Sequence, residues 1–390
     1  MARLLLAIAA ASLIAVQVIR NAAVSVFAQT SPATAARVWS DHPSSEISTA
    51  ITEIGKSARE RRPVPPTVFA ELEDAALKAP LAAEPFLVRG VQAQLAGDTR
   101  LSLMAYLAAE RRDPRSLPAH YFLAERFFRT GEARRGLVEV AALTRLAPDG
   151  ADSLAPYVAA YAKDRTTWPQ LREIFRGNPI LAAASLATLA HDANNADAIV
   201  ALADKQQLTA GSAWVQPLLT GLIKADRYDR AQAIWSAVSG KRAARDTIYD
   251  AGFADSAAPP PFNWELMSSA VGLAERQAGG RLHVIFHGQQ DGLLARQLLL
   301  LTPGRHRISM AVAGDPERGR ALNWSLRCSG SQTPFTGTSL DALRRQPWSF
   351  TVPAGCGAQW LELSGVSGEV EQPSDFTMSA LKLSTERPGD

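Results

Sequence analysis

Between about Val38 and Gly240 apolar residues recur at intervals of three and four, Ala and Leu dominate, and the runs break at Pro or Gly. That spacing predicts amphipathic helices joined by short turns. After about Thr247 the period shortens to two: RLHVIFHG, RHRISMAVAG, LNWSLRC, WSFTV and QWLELSG alternate apolar with polar residues between clusters of Gly, Pro, Asn and Ser. These runs predict short antiparallel strands packed as a sandwich. A third pattern opens the chain, where Leu4 to Ile19 carry no charge and Arg3 and Arg20 flank them. The expected plan is a multi-domain α and β chain: an apolar leader over 1–28, a helical array over 38–240 and a β-sandwich over 246–385.

As a helix, the sixteen residues from Leu4 to Ile19 span roughly 24 Å, short of a hydrocarbon core of roughly 30 Å. Snorkelling by Arg3 and Arg20, and the apolar AAVSVFA that follows Asn21, extend the reach. Val26-Phe27-Ala28 also has the small residues of a signal-peptidase site. The segment therefore reads as a single-pass inner-membrane anchor with the bulk of the chain periplasmic, or as a cleaved signal that releases a periplasmic protein. In an exported chain the only two cysteines, Cys328 and Cys356, predict one disulfide. Neither has a second Cys or a His at metal-ligand spacing.

Composition narrows the partners. With 390 residues, 47% of them hydrophobic, the chain can bury a substantial core. Lys and Arg number 41 against 38 Asp and Glu, and no long block of one sign occurs, so nothing here has the electrostatic footprint of a nucleic-acid binder. Arg100, Arg111, Arg112, Arg126, Arg129, Arg134 and Arg135 give the helical array a local basic tint, read first as a solvated face.

An internal repeat organises the array. Gly97 and Gly131 lie 34 residues apart, as do Pro114 and Pro148. In PFLVRGVQAQLAGDTRLSLMAYLAAERRDP the positions Phe86, Gly90, Gly97, Tyr106, Ala109 and Pro114 match a helix-turn-helix pattern, and the next unit matches at Ala124, Phe127, Gly131 and Pro148. The pattern resembles the tetratricopeptide repeat. A third, degenerate unit places Asp226, Ala231 and Trp235 at the turn, small-residue and aromatic positions. The resemblance implies a solenoid that binds a partner rather than performs chemistry.

In the last third, IYDAGFADSAAPPPFNWEL puts Asp250, Gly252, Phe253, Asp255 and Trp264 in an opening element, and Gln297, Pro303 and Gly304 follow in a later strand and turn. These residues resemble family 4/9 carbohydrate-binding modules and the wider galactose-binding-like jelly rolls. The resemblance implies a glycan-binding sandwich, with Asp250 and Asp255 as possible ligands of a structural calcium. Alternation assigns faces independently: Leu322, Trp324 and Leu326 share one side, while Trp360 and Glu362 oppose Leu361 and Leu363. Trp360 is thus the candidate aromatic platform for a sugar, Glu362 or Gln359 the hydrogen-bonding partner, and Trp348 and Trp264 further candidates.

Enzyme signatures are missing: the sequence holds no GxSxG, no P-loop and no HExxH. His283 and His287 share a strand face but need a third ligand to hold a metal, and Glu265 and Glu275 have no fixed separation that would make them a hydrolytic pair. The expectation is a non-catalytic scaffold or adaptor without a cofactor, acting in envelope or exopolysaccharide assembly. Its array would hold an envelope protein and its sandwich a polysaccharide. The rival is a carbohydrate-active enzyme, hydrolase or lyase, with an accessory sandwich.

Overall fold

The computed structural model describes residues 2–315, 318–368 and 373–385, with side chains from residue 7 onward. The chain divides into two compact units, 1–150 and 151–390. Helical and strand regions follow the order read from the sequence, but the helices after residue 150 belong to the same compact unit as the sandwich.

The first unit begins with α1 (Ala2–Thr30), followed by α2 (Pro32–Val38), α3 (Pro43–Arg59) and α4 (Pro66–Lys78). Two helix pairs complete it: α5 (Glu84–Leu95) with α6 (Thr99–Arg112), and α7 (Leu117–Arg129) with α8 (Ala133–Leu146). Both turns bend in the same way, with Gly97 and Gly131 each at φ +78°, a left-handed backbone that a side chain resists. Asp98 caps α6 by accepting from the Leu101 N–H at 2.9 Å. Gly90 lets α6 close onto α5, since a Cβ there would overlap the ring of fully buried Tyr106. In the second pair the complement is reversed: Gly136 of α8 makes room for Phe128 of α7. Tyr106 also stacks on Phe122 with ring centroids 5.1 Å apart and donates to Gln94 Oε1 at 2.9 Å, joining one pair to the next.

The apolar leader does not end in a free stub. Residues 7–19 of α1 are exposed, whereas Val24 is fully buried in the unit. Arg20 lies over the Trp39 ring at 4.5 Å and donates to the Val38 carbonyl at 3.2 Å, and Asn21 Oδ1 meets His42 Nε2 at 3.0 Å.

In the second unit six helices come first: α9 (Ala151–Ala162), α10 (Trp168–Gly177), α11 (Pro179–Leu189), α12 (Ala196–Leu202), α13 (Val215–Lys224) and α14 (Tyr228–Ser239). The strands are β1 (Glu265–Leu266), β2 (Gly272–Gln277), β3 (Arg281–Phe286), β4 (Gly292–Leu299), β5 (Gly304–Gly314), β6 (Leu322–Cys328) and β7 (Thr336–Ser339). Helix α15 (Leu340–Arg345) precedes β8 (Trp348–Val352), β9 (Gln359–Gly365) and β10 (Ser374–Thr385). They form two antiparallel sheets, A in the order β1-β4-β9-β6-β7 and B in the order β2-β3-β10-β5-β8.

The pairings nest: β6 with β7, β5 with β8, β4 with β9 and β3 with β10. A single long antiparallel ribbon has been rolled into two sheets, which is jelly-roll topology, and β1 and β2 extend one edge of each sheet. The inward positions, among them Leu282, Val284, Phe286, Trp324, Leu326, Leu361, Leu363, Phe376 and Met378, make one buried core. Each contributes about 1.5 to 3 kcal/mol by leaving water.

Cys328 and Cys356 form a disulfide with Cα atoms 5.4 Å apart, tying the end of β6 to the connection before β9. Reduction is expected to cost about 3 to 4 kcal/mol for a closed loop of this length, read as a lower denaturation midpoint under reducing conditions. In the first unit, Gly90→Ala is expected to destabilise by about 1 to 3 kcal/mol through overpacking against Tyr106, measurable by thermal denaturation of the full chain.

Candidate functional site

Helices α13 and α14 are fastened to the sandwich by specific contacts. The Trp235 indole donates to the Pro259 carbonyl at 2.6 Å, and its ring meets Tyr249 and Phe262 edge-on at 5.0 and 5.7 Å. Gln216 Nε2 donates to the Pro260 carbonyl at 2.8 Å. Between α13 and the outer face of sheet A lies a cavity of about 500 Å³, within the size range of small-molecule sites. Trp360, Arg296, Glu265, Lys224, Thr220 and Gln216 line it.

Strand register places the sheet's share of this wall. Glu265 stands opposite Arg296, Arg296 opposite Glu362, and Arg327 opposite Trp360. All of these point away from the core, because their neighbours along each strand point in. Charges therefore alternate across the face and pair: Arg296 Nε donates to Glu265 at 2.6 Å, and Arg327 grips Glu362 with two bonds of 2.9 Å. The Trp360 ring sits among them, with the guanidinium carbons of Arg296 and Arg327 at 4.7 and 5.8 Å from its centroid.

Of the glycan-binding candidates named from the sequence, Trp360 and Glu362 are brought together on this face, both half-buried, and of these Trp360 lines the cavity. Trp360 is not a bare platform, since Arg296 and Arg327 already lie against its ring. Gln359 is buried and faces the other way: it accepts from the Leu301 N–H at 2.9 Å and donates to the Cys356 carbonyl at 2.6 Å, so it satisfies buried backbone and no ligand. Trp264 and Trp348 are core residues. Trp264 packs on Phe253 and Trp324 and donates to the Asp250 carbonyl at 3.0 Å, while Trp348 leans on Phe350.

Asp250 and Asp255 do not gather oxygens for calcium. Asp250 Oδ1 accepts from the N–H groups of Ala254 and Asp255 at 2.7 and 3.1 Å, and its other oxygen faces Arg276 at 3.5 Å. Asp255 accepts from the Tyr249 hydroxyl at 2.5 Å and from the N–H groups of Ala257 and Ala258. The Tyr249 bond, with the backbone donors behind it, holds the Asp255 carboxyl down at about 2. A shell of N–H and O–H donors of this kind does not fit a Ca²⁺ site, which needs six to eight oxygen ligands.

The first unit holds a cluster that spacing does not reveal: Glu110, His120 and Glu139 converge from α6, α7 and α8 with their ligand atoms within 4.8 Å. His120 Nε2 donates to the Pro114 carbonyl at 3.0 Å and Nδ1 faces Glu139 Oε2 at 2.7 Å. Both ring nitrogens are thereby taken, leaving none for a metal. Burial disfavours the charged imidazole, yet the bonds to Glu139 and to the Pro114 carbonyl outweigh it and raise His120 above its ordinary value. This is an interhelical staple.

No family model and no curated protein matches the chain. Among solved structures, the crystal structure of accessory secretory protein 1,2 and 3 in Streptococcus pneumoniae is similar over 38% of this chain and 100% of that chain, at 10% identity and a TM-score of 0.26. So slight a likeness carries no argument about fold or function.

On the outer face of sheet B, His283 bridges two carboxylates, with Nδ1 at 3.0 Å from Glu275 and Nε2 at 2.8 Å from Asp375. The Glu275 bond, the largest effect, raises its pKa; burial opposes it, and the Asp375 bond adds to the rise. A raised folded-state value means that the stabilisation is complete below the unfolded value near 6.5 and disappears as pH climbs through the folded one. His283→Gln is expected to cost about 0.5 to 1 kcal/mol near pH 5.5 and close to nothing near pH 9, measured by denaturant unfolding at both pH values. An equal loss at the two would contradict the ion-pair account.

Proposed function

We propose that this is an exported, membrane-anchored binding protein of the bacterial envelope, non-catalytic, with a tetratricopeptide-like array for a protein partner and a jelly-roll unit that takes a glycan. The observation that carries the reading is the cavity beside Trp360, where an aromatic wall meets a small set of polar side chains. The 34-residue spacing, with its matched positive-φ turns at Gly97 and Gly131, supports the array as a partner-binding stack.

Retention of the leader is part of the reading. Ala7–Thr30 is apolar and long enough to cross a membrane. Cleavage after Ala28 would remove Arg20, Asn21 and Val24, and with them the contacts to Trp39, Val38 and His42. The Arg20–Trp39 contact also suits a membrane interface, where arginine and tryptophan both gather.

An enzymatic second reading rests on Asp226 and Glu265, two carboxylates on one cavity wall. Both are engaged, Glu265 by Arg296 and Asp226 by the Tyr228 hydroxyl at 2.5 Å, which favours binding over proton transfer. Affinity electrophoresis of the detergent-solubilised full chain in gels containing envelope polysaccharides is expected to show retardation, with Trp360→Ala about tenfold weaker. No retardation in any gel would remove the glycan part. Shortened products after incubation would favour the enzyme, and an amino terminus beginning at Gln29 in the exported protein would remove the anchor.

A further inference from the structure

The cavity wall is unbalanced in its hydrogen-bonding capacity, and the imbalance names the class of ligand. Its two carboxylates are both committed: Glu265 Oε2 to Arg296 Nε at 2.6 Å and Asp226 Oδ1 to the Tyr228 hydroxyl. Arg327 has all three nitrogens engaged, since Nε and Nη2 serve Glu362 and Nη1 donates to the Ser331 carbonyl at 3.0 Å. Two other cations keep nitrogens that no protein acceptor engages. Arg296 uses Nε alone, which leaves Nη1 and Nη2, and among the described residues the exposed Lys224 ammonium meets no acceptor.

We infer that this cavity takes an acidic saccharide, a sugar whose carboxylate is held by Arg296 and Lys224 while its ring lies along Trp360. The inference rests on the glycan reading above and sharpens it. A carboxylate offers two coplanar acceptors, which the paired Nη atoms of a guanidinium match, and Lys224 supplies a second positive charge from the helical wall. Arg296 is itself fixed by Glu265 and by the Trp360 ring, so its fork is oriented before a ligand arrives. Gln216, having spent Nε2 on Pro260, keeps its oxygen for a sugar hydroxyl, and Thr220 lies on the same helix one turn further on. A neutral sugar would leave the two cations facing only water.

Titration calorimetry on the detergent-solubilised full chain tests this with three probes: an oligouronate, its carboxyl-reduced neutral counterpart, and inorganic phosphate. The oligouronate is expected to bind about tenfold or more tightly than the neutral oligomer, and to weaken as ionic strength rises. Lys224→Ala is expected to weaken the oligouronate alone, by about three- to tenfold. Because Lys224 is exposed on α13, this variant keeps the fold, whereas Arg296→Lys, which retains charge but loses the fork, serves as the second variant and is expected to lose affinity as well. Equal affinity for the two oligomers, or an oligouronate affinity untouched by Lys224→Ala, overturns the acidic class and leaves a neutral-glycan site. Phosphate binding as tightly as the oligouronate overturns the saccharide and leaves an anion site. If neither oligomer binds, the glycan reading fails and this inference with it.

Discussion

Strand β9 sits in the middle of sheet A, between β4 and β6, and its two-residue period decides both the core and the site. Leu361 and Leu363 go inward to Trp324, Leu326 and the facing sheet, so Trp360 and Glu362 must go outward. A one-residue slip would bury Glu362 unpaired and expose both leucines, at a cost no exposed contact could offset. The hydrophobic effect thus fixes the register, and the register then lines up Arg296, Glu362, Trp360 and Arg327 as a charged, aromatic face. The outer face is built from what the inner face leaves over.

What turns that face into a cavity is the helix pair docked against it. Trp235, fully buried, closes the joint by reaching the Pro259 carbonyl and the rings of Tyr249 and Phe262. Its indole N–H finds an acceptor, as burial demands of a group that would otherwise lose its water partner. Helix α13 follows from that joint, bringing Gln216, Thr220 and Lys224 to the wall. The same joint ties α13 and α14 to the sandwich within the compact unit 151–390.

Much of this is legible in the sequence wherever the cause is local. The switch from a period of three and four to a period of two marks the passage from helices to strands near residue 240, and the parity of LNWSLRC and QWLELSG sorts Trp324 from Trp360. Gly97 and Gly131 announce turns because their backbone angles exclude most other residues. An apolar leader and a count of two cysteines point to the Cys328–Cys356 bond. Gln359 is a nearer miss: its parity with Leu361 and Leu363 places it inward, but only the fold reveals the unpaired Leu301 and Cys356 backbone groups that make an inward amide stable. Lys224, Arg296 and the His120–Glu139 staple carry no such local sign. Residues 216–226 and 296 meet only because α13 docks on sheet A, and no spacing in the chain encodes that encounter.

In the proposed function α13 and the outer face of sheet A share one ligand-binding wall. Hydrogen exchange of the full chain with and without an acidic oligosaccharide reads that wall directly. Amides of 216–226 and of the 359–362 segment are expected to slow together on binding, with the outer face of sheet B around His283 unchanged. Protection confined to sheet B, or slowing in the sandwich with none in α13, would contradict it.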